Sequence, residues 1–362
     1  MTPETNSGAE AGVHIASVAT AAPPFSIEQS EASAIMAQRF GHLLSARSLA
    51  IMKKVFSHPS IRRRHLAITD PISLLEEDPD PRVARFTHWA VELSAQAVAR
   101  ALDRAGMPAN AVSALVVNTC TGYICPGIST YVIERLGLPK MVRAYDLVGS
   151  GCGGAIPNLQ VASDSLKNGG VAVSVSVEIC SATFQMGDDL SLIVSNALFG
   201  DGAAAAVLMR QERGLSLVDS VSLYDPAHRD DIRYVHKNGQ LHNQLKPTVP
   251  ALAAAAAASV TATLLERNGL QMRDVRHWIV HPGGDNVINA VRDELHLADS
   301  HLALSRQILS EHGNLSSPTI MFVLREVLDR GVAPGDWLLM VAFGAGLSAH
   351  ACLLRACDTS TL

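Results

Sequence analysis

The sequence predicts an α/β protein of densely packed layers, assembled from two halves that repeat one plan. Composition is the first indication: 48% of the 362 residues are hydrophobic, only 4% are aromatic and 17% charged, and alanine, valine and glycine are abundant. Small apolar side chains of this kind suit packed α/β layers better than an all-β sandwich. The second indication is a rhyme within the chain. A glycine turn opening a helical pattern occurs around Cys152 and again at Gly313-Asn314, and each is followed by two β-type runs, 171–177 with 203–209 and 337–343 with 348–354. The third is length, which accommodates two domains or one large pseudo-symmetric one. The expected organisation is a flexible tail over 1–12, a first half over 13–213 and a second over 214–362.

In chain order, 13–18 reads as a first strand. Helical spacing over 28–52 leads into Lys53-Lys54 and the basic run Ser60-Ile-Arg-Arg-Arg-His65, a cluster that by itself reads as a solvated face. Residues 70–81 are acidic and proline-rich and predict an exposed loop. A long helix is expected over 82–105, ending near Gly106, and a short strand over 113–118. Beyond Cys152, Ile156, Leu159, Val161 and Leu166 recur at helical spacing until Gly169-Gly170 stop it. Residues 171–177 alternate with serine as a buried strand would, and Gly200-Asp201-Gly202 is a turn feeding the strand 203–209. The alanine run 251–258 predicts a close-packed helix, since alanine is the best helix former and lets neighbours approach.

The formal charge of -5, without a basic stripe or aromatics interleaved with Arg and Lys, gives no reason to expect nucleic acid as a partner. Six scattered cysteines, with no paired CxxC spacing, predict neither a disulfide framework nor a zinc site and fit a reducing cytoplasm. No run of eighteen apolar residues and no Lys/Arg-led apolar N-terminal segment indicates a membrane span or a signal peptide.

The chemistry centres on Leu147-Val-Gly-Ser-Gly-Cys-Gly-Gly-Ala-Ile-Pro-Asn158, where one cysteine stands among four glycines. A free cysteine is usually a small buried hydrophobe. Cys152, however, is placed at a helix start, where unpaired N–H groups and the positive end of the helix dipole favour a nucleophilic thiolate. Two further polar residues sit at glycine turns: His281 in Trp278-Ile-Val-His-Pro-Gly-Gly284, and Asn314 in Glu311-His-Gly-Asn-Leu-Ser-Ser-Pro318.

These three segments, with Ala197-Leu-Phe-Gly-Asp-Gly-Ala203 and Ala342-Phe-Gly-Ala-Gly-Leu347, resemble in order and spacing the type III polyketide synthases, the chalcone synthase-like family, in a bacterial-type member. The resemblance runs from about Val116 to Leu354 and implies a thiolase-like layered αβαβα fold. It implies Cys152, His281 and Asn314 as the catalytic set and Phe199 as a gatekeeper, a position that otherwise reads as core packing. It places Thr121, Cys125, Cys180 and Thr183 around the active-site cavity, with Cys125 crossing into the cavity of a partner subunit in a homodimer. Cys180 reads as a wall residue, with a chemical role for its thiol as the alternative. Lys54, Arg62, Gly283 and Gly284 fall where the family meets coenzyme A, although Ile51 and His58 stand where a basic residue is common. The nucleophile is followed here by Gly153-Gly-Ala-Ile-Pro-Asn158, so starter size and cyclisation mode are not carried over from plant enzymes.

A Cys-His-Asn set serves hydrolysis as well as condensation. In a papain-like hydrolase the asparagine orients the histidine. In a decarboxylating condensation, ring and amide N–H groups instead stabilise the oxygen of an enolate. The resemblance implies the second: an acyl-CoA starter loaded on Cys152, extended with malonyl-CoA, and no metal or redox cofactor. A single-round ketoacyl synthase III-like enzyme is the alternative on the same fold, but its His-Gln-Ala-Asn segment is absent. A thioester hydrolase is the remaining one, and a silent partner subunit is disfavoured because the cysteine is kept.

Overall fold

The computed structural model describes residues 12–69, 74, 78–166, 169–237 and 239–357. The predicted tail, apart from Gly12, and most of the predicted acidic loop over 70–81 lie outside the described residues. The first half opens with β1 (His14–Ala21) and the short β2 (Ser26–Glu28). The helical spacing over 28–52 is divided between α1 (Gln29–Phe40) and α2 (Ala46–Phe56), because the Ser45 hydroxyl accepts from the Ser48 amide and starts a new helix. β3 (Arg63–His65) returns antiparallel to β2.

The long helix α3 (Pro79–Ala105) begins three residues before the expected Arg82. Asp78 caps it through the Asp80 amide, and Pro79 occupies a first-turn position where no N–H is needed. Gly106, at φ 65°, ends it. Then follow β4 (Val112–Thr119), α4 (Ile128–Leu136), β5 (Arg143–Val148), α5 (Ala155–Asp164), β6 (Val171–Ile179), α6 (Leu190–Leu198) and β7 (Asp201–Met209). The second half comprises β8 (Leu215–Tyr224), a hairpin of β9 (Ile232–Lys237) and β10 (Gln240–Leu245), α7 (Val249–Arg267), β11 (Val275–Val280), α8 (Asp285–Glu294), α9 (Ala303–His312), α10 (Thr319–Arg330), β12 (Trp337–Gly344) and β13 (Ser348–Ala356).

Strand order gives the repeat its physical form. The sheet runs β11-β12-β13-β8-β1-β7-β6-β4-β5. In the first half β4 is parallel to β6, and β7 is antiparallel to both β6 and β1. In the second, β11 is parallel to β12, and β13 is antiparallel to both β12 and β8. The series β4-β6-β7-β1 and β11-β12-β13-β8 are therefore the same motif, joined where His14 and Ile15 meet Ser216 and Leu215. β5 is an addition to the first.

Burial sets the layers. Ile156 and Leu159 of α5 and Ile320 and Phe322 of α10 pack together between the inner faces of the two half-sheets, against Ala204, Ala206, Met340 and Ala342. The outer face of the first half-sheet is covered by α3, with Leu93 and Val98 on Leu115 and Val173. That of the second is covered by α7, with Ala257 and Leu264 on Leu339 and Val341. The stack is thus αβαβα, and strands buried on both faces explain their near-continuous apolar runs. By length and composition α7 could cross a membrane; here half of its apolar window is buried, and its alanine face lies on the sheet as a core helix.

Candidate active site

The central layer brings the two helix starts together. Cys152 sits in a 3-10 turn, Gly151–Gly153, that leads into α5, while Asn314 lies in the loop that leads into α10. The Cys152 turn is clamped by neighbours. A Cβ on Gly153 would approach the His350 ring to 2.8 Å, and one on Gly344, at the end of β12, would come within 2.0 Å of the Ser150 carbonyl oxygen and 2.8 Å of the Gly153 nitrogen. Gly344→Ala is therefore expected to push the turn aside and lower activity by about 100-fold, since a displacement of roughly 1 Å at a reacting centre costs that much. Steady-state kinetics on a folded Gly344→Ala protein checks this; full activity would show that the clamp does not position Cys152.

The Ser316 hydroxyl and the Asn314 amide both favour the thiolate form of Cys152. Ser316 holds φ 60°, a left-handed conformation costly for serine, and its hydroxyl meets the Cys120 sulfur at 3.4 Å. The Asn314 amide oxygen accepts from the Ser316 amide at 2.8 Å and the Thr319 hydroxyl at 3.3 Å, leaving its nitrogen toward the Gly283 carbonyl, 3.3 Å away, and Cys152. His281 ends β11, its amide bonded to the Val341 carbonyl at 2.8 Å and its ring set edge-on to Phe343. The imidazole is fully buried and neither ring nitrogen has a partner among the described residues.

These surroundings correct one expectation. Position at a helix start predicts a thiolate, but burial pushes the Cys152 thiol up to about 11, against the Ser316 and Asn314 hydrogen bonds that oppose it. Burial also lowers His281 to about 3. Desolvation thus favours the neutral form of both the thiol and the imidazole, outweighing what the helix terminus returns to a thiolate.

A buried carboxylate underlies the site. Glu178, at the end of β6, accepts from the Cys120 amide (2.9 Å), the Thr121 amide (3.1 Å) and hydroxyl (2.9 Å), the Thr119 hydroxyl (3.2 Å) and the Ser317 hydroxyl (2.6 Å). Burial raises its pKa and these donors counter the rise. Asn118, donating to the Ser317 hydroxyl and accepting from Asn158 and Ser176, extends the network to α5 and β6. The loop after β4, the helix carrying Cys152 and the Asn314 loop are thereby fixed to one another.

In front of Cys152 lies a cavity of about 730 Å³ whose walls include Cys120, Thr121, Thr183, Phe199, Tyr234 and Ser316. Four of the predicted residues, Cys152, Thr121, Thr183 and Phe199, thus line one space. His281 and Asn314 are buried beside it. The backbone of Phe199 bridges to Asn314, the Gly200 amide donating to the Asn314 carbonyl at 3.0 Å. Cys180 lines a second, smaller cavity. Cys125 is exposed on the loop after β4, away from this chain's own cavity. Lys54 is exposed on α2. The Arg62 guanidinium is committed to Glu28 at 3.0 Å and Glu311 at 2.5 Å, so a phosphate there would have to displace carboxylates. Gly283 offers its carbonyl to Asn314, and Gly284 begins α8. All six cysteines are free.

Sequence reasoning missed Ser316, Glu178 and the β9–β10 hairpin, which supplies Tyr234 and Asn243 to the cavity. Ser316 was inside a recognised block but had no spacing of its own. The hairpin had a signal in Asn238-Gly239, a dipeptide that favours tight turns between strands.

A glycine-clamped cysteine between the two half-sheets of an αβαβα stack, with hydroxyl and amide donors at its sulfur, defines a thiolase-fold enzyme of the condensing type. Residues 223–358 match the model of chalcone and stilbene synthases, C-terminal domain, and residues 21–223 that of FAE1/type III polyketide synthase-like proteins. The chain belongs to the type III polyketide synthase family. It is 31% identical over 355 residues to the 1,3,6,8-tetrahydroxynaphthalene synthase of Streptomyces peucetius subsp. caesius, covering 95% of this chain and 93% of that one. It is 29% identical over 321 residues to the 3,5-dihydroxyphenylacetyl-CoA synthase of Streptomyces toyocaensis, covering 84% and 82%. The crystal structure of PKS-I from the brown alga Ectocarpus siliculosus superposes with a TM-score of 0.88 at 28% identity, over 95% of this chain and 98% of that one. These relatives favour neither the ketoacyl synthase III nor the hydrolase alternative.

Proposed function

We propose that the protein loads an acyl-CoA starter on Cys152 and extends it with malonyl-CoA by decarboxylative condensation, as an acyltransferase that needs no metal or redox cofactor. The observation that carries this reading is the disposition of Asn314. A hydrolase of the papain type needs its asparagine on the histidine. Here the Asn314 oxygen is held by Ser316 and Thr319 and its nitrogen meets the Gly283 carbonyl, while neither nitrogen of the buried His281 ring has a partner among the described residues. Two N–H donors free to meet a thioester oxygen suit an enolate.

In the loading step His281 takes the thiol proton as the sulfur attacks the thioester carbonyl; the C–S bond to coenzyme A then breaks, and the imidazolium returns the proton to the leaving thiolate. In the extension step the malonyl C–C bond breaks, CO₂ departs, and the electron pair is held as an enolate whose oxygen faces His281 and Asn314. The enolate carbon attacks the acyl-cysteine carbonyl and the C–S bond to Cys152 breaks, leaving the lengthened chain on coenzyme A; the freed Cys152 thiolate then attacks that thioester and releases coenzyme A, which reloads the chain for the next round. Repetition lengthens the chain within the 730 Å³ cavity, where it cyclises or is released. Incubation with malonyl-CoA and a starter panel tests this reading through free coenzyme A, CO₂ and lengthened products; acyl-CoA hydrolysis alone would defeat it.

The pH dependence follows from the neutral resting pair. Burial disfavours both charged forms, raising Cys152 to about 11 and lowering His281 to about 3, so between these values the pair carries one proton, which moves from sulfur to ring without net uptake or release. Acyl loading is expected to vary little between about pH 5 and about pH 9. Single-turnover loading measured across that range checks it, and a clear inflection near neutrality would show that a thiolate–imidazolium pair exists before the substrate arrives.

A homodimer belongs to the same reading. β5 is one of the two edges of the sheet, and around it Met141 (92%), Tyr123 (78%) and Val148 (62%) are exposed apolar side chains. Such an edge is a template for pairing with another chain, and a two-fold contact there would carry the 121–127 loop, with Cys125, against the partner. Cys125→Asp is expected to weaken the dimer or change product length, because a charge buried at an apolar contact is costly. Sedimentation at micromolar concentration decides: a fully active monomer would rule the arrangement out. The free thiols support a reducing compartment, the cytoplasm. Coenzyme A would approach past Lys54 and the Gly283-Gly284 turn, with Arg62 available only after losing its carboxylate partners.

A further inference from the structure

Side chains on β10 alternate between two faces. Leu241, Asn243 and Leu245 line the 730 Å³ cavity, whereas His242 turns to the other side and meets Asp189 at 3.2 Å. Asn243 thus puts an amide between two leucines, directly opposite Tyr234 of β9. It is 8% exposed, and it also borders a second cavity of about 260 Å³ that shares Thr183 and Phe199 with the first. The other polar groups at this junction are spent within the protein. The Thr183 hydroxyl donates to the Cys180 carbonyl at 2.9 Å, the Asn196 amide nitrogen to the Gln185 carbonyl at 2.7 Å, and Arg64 Nε to Gln29 at 2.9 Å. The Asn243 side chain makes no hydrogen bond among the described residues. An amide buried without a partner is costly, and a ligand that supplies the missing bond recovers that cost. The strand is tied on either side of position 243: Gln185 Nε2 donates to the Leu241 carbonyl, and the Leu245 amide donates to the Ser191 hydroxyl at 3.4 Å. The amide is therefore presented to the cavity from a fixed backbone.

We propose that Asn243 is a specificity-determining residue whose side-chain amide hydrogen-bonds a ketone oxygen of the growing chain. With the thioester carbon at Cys152, a β-ketoacyl chain carries carbonyl oxygens that accept from the Asn243 N–H, and its enol forms donate to the Asn243 carbonyl. A saturated chain of the same length offers neither. The residue favours an oxygenated chain over a saturated one, and so it steadies the intermediates made after the first condensation. The inference rests on acyl loading and extension as proposed above, and it deepens that reading by assigning a residue that recognises the extended chain.

The test measures binding apart from condensation. In the full-length Cys152→Ala protein, affinities for hexanoyl-CoA, 3-oxohexanoyl-CoA and 5-oxohexanoyl-CoA are compared by calorimetry. The three differ only in whether, and where, a ketone replaces a methylene. At least one oxo thioester is expected to bind about tenfold more tightly than hexanoyl-CoA, the worth of one hydrogen bond to a buried group otherwise unpaired. Adding Asn243→Leu, which continues the leucine pattern of β10, should bring that ratio below about 2, because the group that reads the oxygen is gone. Asn243→Ala serves as the second variant if Asn243→Leu does not fold, folding being judged by thermal unfolding. Ratios near one or below for both oxo thioesters in Cys152→Ala, or a ratio of about ten that survives in a folded Asn243 variant, overturn the assignment. Condensation by the unsubstituted enzyme alongside ratios near one would refute the role of Asn243 alone, whereas a large, Asn243-dependent ratio without condensation by any starter would support the contact and refute the extension step.

Discussion

Cys152→Ala is expected to abolish acyl loading and to reduce product formation by about 10⁴-fold or more, because removal of a covalent nucleophile leaves only binding and electrostatic assistance. The same variant should continue to decarboxylate malonyl-CoA within about tenfold of the parent rate, since in the proposed mechanism that step draws on donors from His281 and Asn314 and not on the sulfur. Intact mass after incubation with an acyl-CoA is the measurement. Acyl addition to the parent that is lost in Cys152→Ala supports the assignment. Addition at Cys120, which shares the Ser316 hydroxyl with Cys152 and lies in the same cavity, would move the nucleophile there.

The second large effect is expected at Asn314. Replacing it with aspartate keeps an oxygen for the Ser316 amide and the Thr319 hydroxyl, so the entry to α10 is preserved, but it exchanges the amide N–H for a carboxylate oxygen that repels an enolate. Decarboxylation should fall by about 10² to 10³-fold, the usual cost of losing one oxyanion donor. Loading of Cys152 should fall far less. His281→Gln should behave in the opposite sense: a side-chain amide still offers an N–H, so some decarboxylation survives, while the loss of a proton acceptor slows loading. Equal loss of both steps in Asn314→Asp would show that the residue acts through structure and not through the enolate.

The architecture was legible where the chain repeats itself. The runs 171–177 and 203–209, and their counterparts 337–343 and 348–354, became β6, β7, β12 and β13 with matching directions, because buried strands leave continuous apolar runs that turns must bracket. The glycines around Cys152 were legible too, since a turn clamped on both sides leaves no room for other residues. Depth was not. Sequence placed His281 and Asn314 near Cys152 but not their depth, and desolvation opposes the thiolate that the helix start favours. Glu178 was also invisible: one acidic letter at a strand end has no signature until five donors are seen to converge on it. The smaller cavity depends on side chains from α1, α6 and the β2 region meeting in space, which no local pattern records.

Malonyl-CoA labelled in its free carboxylate, incubated with the enzyme and an acyl-CoA starter, tests the central claim most directly. Decarboxylative condensation predicts that the label appears as CO₂ in a fixed ratio to coenzyme A released from malonyl-CoA, with products longer than the starter and free of label. Label retained in the product, or release of coenzyme A from the starter alone with no lengthened product, would contradict it.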